Sequence, residues 1–532
     1  MPVWDAIVIG SGFGGAMAAH ALVSAGQRVL MLERGGWVAR GPQNWAAGGV
    51  GLTTPHYTTE SAYDVASGSR RYRAGSWNCV GGQSVFYGCA SFRFRETDFE
   101  PSADIVGTSG AAWPFAYDVL EPFYTRAEQL LGVAGDSTGD PTEPWRSAPY
   151  PQPAAPLSRS AQLIADAATR LGLHPFRIPL AISYAASEDR RACLRCGTCD
   201  GYACAAEAKS DIATAILPGL VRRGLTLRPN TACVRLARDG SRVVAADCVD
   251  RVSGERYAVT ATRFVLAAGA LATPHLLLAS ELEERNPAGH AVGRYLMRHR
   301  NAVVFGVYPR QPNPQRAFDK QVAIHDFYHG APGWNAGRGT LGSIQQLTPP
   351  AGLVRAHMPV VVRDPAATVV SHATGLLVIA EDQPQHANGV AVDWRTRDRI
   401  GLPLLRVTHA HSTRDDAAAG VLVAQAKRVL REANASFTYV HPIETFSHAL
   451  GTVRMGIDPR TSPLDDHGRY RGLENLYVAD ASALPRSGGV NPSLTIAANA
   501  LRIGAHIAEI DAPTSARRWP LPVHHTLPVP TP

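Results

Sequence analysis

The 532-residue chain is 45% hydrophobic and carries 52 basic against 45 acidic residues, a formal net charge of +7. That much apolar sequence is enough for two domains or one large α/β domain, and it excludes a disordered chain. The basic excess is almost wholly Arg, with Lys only at 209, 320 and 427 and no basic run or tail, so it excludes a nucleic-acid partner.

The first strand-like segment begins at Asp5, which leaves no room for an export signal. No run of about eighteen apolar residues occurs, so no membrane-spanning helix is expected. Eight Cys are sparse for this length, and a cytoplasmic location fits that usage best.

In chain order, residues 5–35 predict strand, Gly-rich turn, Ala-rich helix and strand, the opening of a βαβ unit. Residues 36–75 are rich in Gly, Thr, Ser and Tyr without a period and predict a long loop, followed by a Gly cluster from Gly75 to Gly88. Helices are expected from Trp113 to Val133, from Ser160 to Leu171 and over 213–223. A meander of short strands is expected from Thr226 to Val265, ending in VLAAGA before the helix-compatible PHLLLAS. Residues 300–440 mix strand-like AVVFGV, TGLLVIA and GVAVDW with one long helix near Arg414 to Ala433. The Gly- and Pro-rich segment from His329 to Pro359, with Gln345 and Gln346, predicts a long loop that is equally consistent with a mobile cover over a polar substrate. Residues 512–532 hold six Pro and predict a surface tail.

Gly10-x-Gly12-x-x-Gly15 directly follows a strand and opens a helix, the context a dinucleotide site requires. Gly10 permits the tight turn, Gly12 lets backbone approach a pyrophosphate, and Gly15 lets helix pack on strand. The exposed N–H groups of the helix N-terminus then face the phosphates. Glu33, ending the second strand, is placed to accept hydrogen bonds from a ribose. These features leave FAD and NAD open.

SHALGTVRMG at 447–456 and NLYVADASALPRSGGVNPSLTIAANALRIG at 475–504 resemble the closing motif of the glucose-methanol-choline (GMC) oxidoreductases. VGGQSVFYG at 80–88, LAAGALATPHLLLAS at 266–280 and VGRYLMRH at 292–299 extend the resemblance along nearly the whole chain. The family implies an α/β fold in which a discontinuous Rossmann-like FAD-binding domain (1–100, 190–300 and 445–511) joins an α+β substrate domain with a mostly antiparallel sheet (101–189 and 301–444). It implies that Gly10, Gly12, Gly15 and Glu33 bind the ADP half of FAD, and that Gly75, Gly81, Gly82 and Ser84 lie along the pyrophosphate and flavin. Val234 is implied at the adenine, Asp480 near the ribityl and pyrophosphate, and Gly269 in the cofactor-binding LAAGA segment. Asn491 and Pro492 begin a helix whose positive end is expected at the flavin N1–C2=O2 region.

The resemblance makes His448 the catalytic base, taking the hydroxyl proton as hydride leaves for flavin N5, with Asn491 holding the substrate oxygen. Asn491 is also a reasonable N-cap ahead of Pro492 at the first helical position. Two departures stand out: Tyr87 occupies a slot where many members carry Asn, and no His lies between Gly75 and Gly88 to bond the flavin, so noncovalent FAD is expected.

Cys193, Cys196, Cys199 and Cys204 have metal-like spacing but miss the ferredoxin pattern, and resemble a Cys-rich loop of some members; metal, disulfide and free thiols all remain open, and no metal ligand is assigned. The resemblance to bacterial pyranose-oxidase-like and glycoside 3-oxidase members implies oxidation of a sugar or glycoside ring hydroxyl to a ketone. A less polar aliphatic, aromatic or sterol-like alcohol is the alternative. O2, a quinone or a protein partner remain open as electron acceptor.

Overall fold

The computed structural model describes residues 4–45, 57–67, 69–107, 109–187, 190–197, 199–315, 317, 320–334, 339–349 and 359–510. At its centre is a five-stranded parallel sheet in the order Leu476–Val478, Ala261–Leu266, Trp4–Ile9, Val29–Leu32, Thr226–Arg228. The inner strands are short, mostly apolar runs buried on both faces, as a covered parallel sheet demands, while the edge strand Thr226–Arg228 is only half-buried. The helix Phe13–Ser24 lies between this sheet and the C-terminal helix Ser493–Ile510. Its Ala-rich surface is buried nearly all round, and Gly504 is so close that a Cβ there would stand 2.7 Å from the Ala18 carbonyl oxygen. Small residues on both helices permit that spacing.

A second, six-stranded sheet is antiparallel in the order Phe437–Pro442, Arg300–Val307, Ala373–Ala380, Gly342–Leu347, Val322–Ile324, Pro175–Arg177. One face, with Val304, Ile344 and Val378, packs on the helices Arg159–Arg170 and Thr413–Glu432. The α/β architecture expected from the sequence, a Rossmann-like unit assembled from distant segments plus an antiparallel sheet, is the observed one.

Several local expectations need correction. Residues 57–77, expected as loop, hold the hairpin Tyr57–Ser67 and Arg70–Trp77. It joins Pro403–Thr408 and Gly389–Arg397 in a four-stranded sheet. Only Ala74 is buried in the strand RRYRAGSW, so no apolar alternation marks it. Gln345 and Gln346 are not on a loop: both are fully buried in the strand Gly342–Leu347. Residues 335–338 and 350–358 of that expected loop, and the 512–532 tail, lie outside the described residues. The helix over 213–223 divides at Ile216 into Ile212–Ala215 and Leu217–Arg222. Pro492 precedes the last helix rather than opening it: its carbonyl accepts from Ile496 N at 2.9 Å, and the first helical residue is Ser493. No helix among the described residues is long and apolar enough to cross a membrane.

The segment after the Gly cluster is anchored by Arg93, whose side chain is fully buried against the helix Tyr117–Leu131. Its guanidinium grips Glu128 through Nε and Nη2, both at 2.8 Å, and reaches Glu121 at 2.9 Å and the Tyr117 hydroxyl at 3.1 Å. Glu128 also has Arg146, but Glu121 has no other cation among its described partners. Arg93→Met is therefore expected to cost about 3–5 kcal/mol by stranding a buried carboxylate, measured as a lower midpoint in urea unfolding.

Candidate active site

The carboxyl ends of the parallel strands open into one cleft, the usual ligand position in such sheets. Gly10 turns there with φ +105°, and a Cβ on it would lie 2.3 Å from the Ala267 carbonyl oxygen. A Cβ on Gly15 would lie 1.9 Å from the Gly10 carbonyl oxygen, so the helix sits directly on the turn. A Cβ on Gly12 would meet no atom within 4 Å: this glycine faces open cleft. The three glycines thus divide into two required by packing and one that leaves room for a ligand.

Glu33 is buried beside the turn, where desolvation raises its pKa above the ordinary carboxylate value against the pull of its hydrogen bonds. It accepts from Ser11 N at 3.1 Å, Ser11 Oγ at 2.5 Å and Gly35 N at 2.9 Å. Ser11 Oγ in turn accepts from Gly81 N at 2.9 Å. The carboxylate expected at a ribose therefore also ties the first Gly-rich turn to the second. Asp480 plays a similar part across the cleft: it accepts from Gly269 N at 2.8 Å, from Thr273 Oγ1, and from Ser482 N at 2.8 Å.

Gly10, Gly12, Glu33, Gly82, Ser84, Gly269, His448, Asp480 and Pro492 line this cleft. Gly15 supports it from behind. Gly75 lies within the strand Arg70–Trp77, and it is Ser76, Trp77 and Asn78 that reach the cleft. Gly81, at φ +88°, is held by packing, since a Cβ would sit 2.9 Å from Ala213. Val234 misses the cleft: Thr231, Ala232 and Cys233 line it instead. The sequence assignment is off because the strand Thr231–Asp239 meets the cleft only with its first residues. Ser84 Oγ donates to Gly81 O at 2.6 Å and accepts from Ile212 N at 3.0 Å, so both functions of its hydroxyl serve the loop. Tyr87 turns away, donating to Ser210 O at 2.9 Å with its ring edge on Phe13.

At the other end of the cleft stands His448, one of the two residues expected to do chemistry; Asn491, the other, is buried beside it and does not itself line the cleft. His448 Nε2 lies 3.4 Å from Asn491 Nδ2, and Asn491 Oδ1 is buried without a partner among the described residues. Behind His448 is a residue not singled out from the sequence: His299, whose Nδ1 lies 3.1 Å from His448 Nδ1. Met297 and Leu450 exchange both backbone hydrogen bonds at 3.0 Å in an antiparallel bridge, and two residues on in each direction come His299 and His448. The period of two puts both rings on the same side. The VGRYLMRH segment was visible in the sequence, but the pairing that brings its last residue to His448 spans 149 positions. Burial pushes the His448 imidazole well below its ordinary value of 6.5 and lowers that of His299 as well.

Two groups of potential metal ligands have different fates. All eight Cys are free thiols, and among the described residues no three of Cys193, Cys196, Cys199 and Cys204 bring their sulfurs together. Lys209 fixes this loop by donating to the carbonyls of Tyr87, Cys199 and Tyr202 at 3.1, 3.0 and 2.7 Å. Asp382, His409 and His411 do gather ligand-type atoms within 4.8 Å of one another. However, Arg298 Nε donates to His409 Nδ1 at 3.3 Å, which puts the His409 proton on Nε2, the atom facing Asp382. A guanidinium beside the group and a proton at the ligand atom oppose a cation there.

Family models described as GMC oxidoreductase match residues 5–301 and 384–500, most of the chain. The chain belongs to the GMC oxidoreductase family and is an FAD-dependent enzyme acting on CH–OH groups. It is 32% identical to paromamine 6'-oxidase of Streptomyces fradiae over 95% of this chain and 91% of that protein. To 2-methyl-1,2-propanediol dehydrogenase of Mycolicibacterium austroafricanum it is 28% identical, over 95% of each. The solved pyridoxine 4-oxidase from "Mesorbium loti" superposes with a TM-score of 0.65 at 18% identity, covering 96% of this chain and 99% of that one.

The cleft passes a direct test of fit to FAD: a glycine with open space at its Cβ position lies on a helix N-terminus, with a buried carboxylate one strand away. Gly12→Ala is expected to leave far-UV circular dichroism unchanged while weakening FAD affinity at least about tenfold, about 1.4 kcal/mol. Gly10→Ala and Gly15→Ala, whose Cβ atoms meet backbone oxygen, are expected to lower soluble yield as well. Flavin absorbance per protein and the spectrum separate the two outcomes.

Proposed function

We propose that this enzyme oxidises a hydroxyl of a sugar or glycoside, with His448 as base and Asn491 as the group that holds the substrate oxygen, on noncovalently bound FAD. The observation that carries this is the 3.4 Å separation of His448 Nε2 and Asn491 Nδ2 at the inner end of the cleft. A hydroxyl placed between them gives its proton to His448 Nε2 while its oxygen accepts from Asn491 Nδ2–H. Burial keeps the imidazole neutral and able to take that proton. Gly10, Gly12, Glu33, Gly82, Ser84, Gly269, Asp480 and Pro492 line the cleft that would hold the cofactor, with Gly15 packing the helix onto the turn behind it. When bound, FAD supplies the hydride acceptor at flavin N5.

Similarity to an enzyme named for oxidising paromamine at its 6' position supports a sugar-type substrate. Position 6 of a hexose is an exocyclic carbinol, which makes an aldehyde the product to look for beside the ketone of a ring carbinol. Turnover of pyranosides and aminoglycosides, with borohydride trapping of the product, tests the assignment. Activity confined to aliphatic diols or sterols would overturn it. Electrons then pass to O2 or to a quinone or protein acceptor, and hydrogen peroxide yield under air distinguishes these. The absence of His from residues 75–88 supports noncovalent FAD; trichloroacetic acid is expected to release all flavin into the supernatant.

His448→Ala is expected to retain FAD and slow flavin reduction by substrate about 10²–10⁴-fold. The pH dependence follows from the direction of the His448 shift. The active form is the neutral base, present above its pKa, and that pKa lies below 6.5. Flavin reduction measured by stopped flow is therefore expected to be flat from neutral pH down through 6.5 and to fall only on further acidification.

A further inference from the structure

His299 sits in a setting that assigns its proton. Its ring is 2% exposed, and its Nε2 lies 3.1 Å from the Ser487 carbonyl oxygen and 3.0 Å from that of Gly488. Carbonyl oxygens only accept, so Nε2 carries hydrogen. The neutral ring then has a bare Nδ1, and that atom faces His448 Nδ1 at 3.1 Å. A contact of this length between two neutral imidazoles needs one hydrogen, and only His448 can provide it. His448 is thereby the Nδ1–H tautomer, and its Nε2 lone pair faces the Asn491 amide, which donates to it at 3.4 Å. The amide orientation and both ring tautomers form one consistent chain of donors and acceptors.

We propose that His299 is a positioning residue that sets the tautomer and direction of the catalytic base, and that the carbonyls of Ser487 and Gly488 act through it. Gly488 lies three residues before Asn491, so one short segment orients both halves of the substrate clamp. When the substrate hydroxyl gives its proton to His448 Nε2, two electrons leave with the carbon-bound hydrogen to oxidised FAD. The imidazolium left behind keeps its Nδ1–H bond to His299, whose own N–H is already committed to two carbonyls.

The backbone supports the assignment independently. His299 has φ 59°, a conformation rare for a residue with a Cβ and one that persists only when its surroundings enforce it. His411 Nε2 holds the His299 carbonyl at 3.1 Å. Asp382 Oδ2 holds the preceding amide, Arg298 N, at 2.8 Å, while Asp382 N donates to Ser487 Oγ at 3.2 Å. The Asp382–His411 cluster thus clamps the chain at His299 from both sides. The charged groups bearing on the pair are Asp98 and Asp382 toward His299 and Lys320 toward His448.

The inference rests on His448 being the base, and the experiment separates the two. Holoenzyme labelled with ¹⁵N-histidine is compared by NMR with His448→Gln to assign the His448 ring. The expected spectrum has Nδ1 protonated and Nε2 bare; protonated Nε2 would overturn the proposal whatever the variants do. His299→Leu, which cannot accept, is expected to load FAD and to slow flavin reduction about 10²-fold, with kcat falling and KM little changed. His299→Asn places an acceptor oxygen where Nδ1 stood and is expected to recover most of the rate. Equal loss in both variants, or wild-type reduction in His299→Leu while His448→Ala is inactive, would overturn the role of His299 alone. Normal reduction in His448→Ala would instead remove the base on which it depends.

Discussion

The site depends on how closely Gly10 and Ala267 approach at the ends of two parallel strands. Nothing larger than hydrogen fits between them, so the two turns leave the sheet side by side and the cleft opens at that seam. Ser11, Glu33 and Gly81 extend the contact by hydrogen bonds into the second Gly-rich segment, and Asp480 does the same for Gly269 and the turn at 481–483. The cofactor cleft is therefore made mostly of backbone. Its side chains chiefly hold turns in place.

The chemical end of the cleft is built by a different device. The antiparallel bridge between Met297 and Leu450 stands at the start of the strand Arg300–Val307, where the antiparallel sheet meets the cofactor unit. The bridge sets the rings of His299 and His448 against each other, and the bent segment before Asn491 brings the amide to the opposite nitrogen. The antiparallel sheet behind this point fixes where the strand begins and hence where the rings sit. Lys209, donating to three carbonyls, likewise makes the Cys-rich loop part of the scaffold around Tyr87.

How much of this was legible depended on the range of the interaction concerned. Gly10, Gly12, Gly15 and Glu33 act within one βαβ unit, so their spacing carries their placement. His448 and Asn491 belong to a long family motif, and the structure brings them together. The hairpin at 57–77 carries little apolar signal because its second strand buries only Ala74, and it is stabilised by strands more than three hundred residues away. Gln345 and Gln346 look like loop residues because buried amides in a strand break the usual alternation. Val234 was misplaced because a strand crossing a cleft end exposes only part of itself, which no periodicity records. His299 was passed over because its meaning lies in a partner 149 positions away and in two carbonyls, which a sequence cannot mark.

The packing of Phe13–Ser24 against Ser493–Ile510 has a consequence for how the molecule comes into being. The first strand emerges from the ribosome with its helix but must wait for Ala261–Leu266, and the helix waits longer, until its partner near Gly504 is made. At about 5–20 residues per second the interval from residue 18 to residue 504 is on the order of a minute. During that time the Ala-rich helix has an uncovered apolar side and the cleft has no catalytic end. Completion of the cofactor cleft is thus a late event, because both its catalytic end and the cover of its first helix come from the last part of the chain.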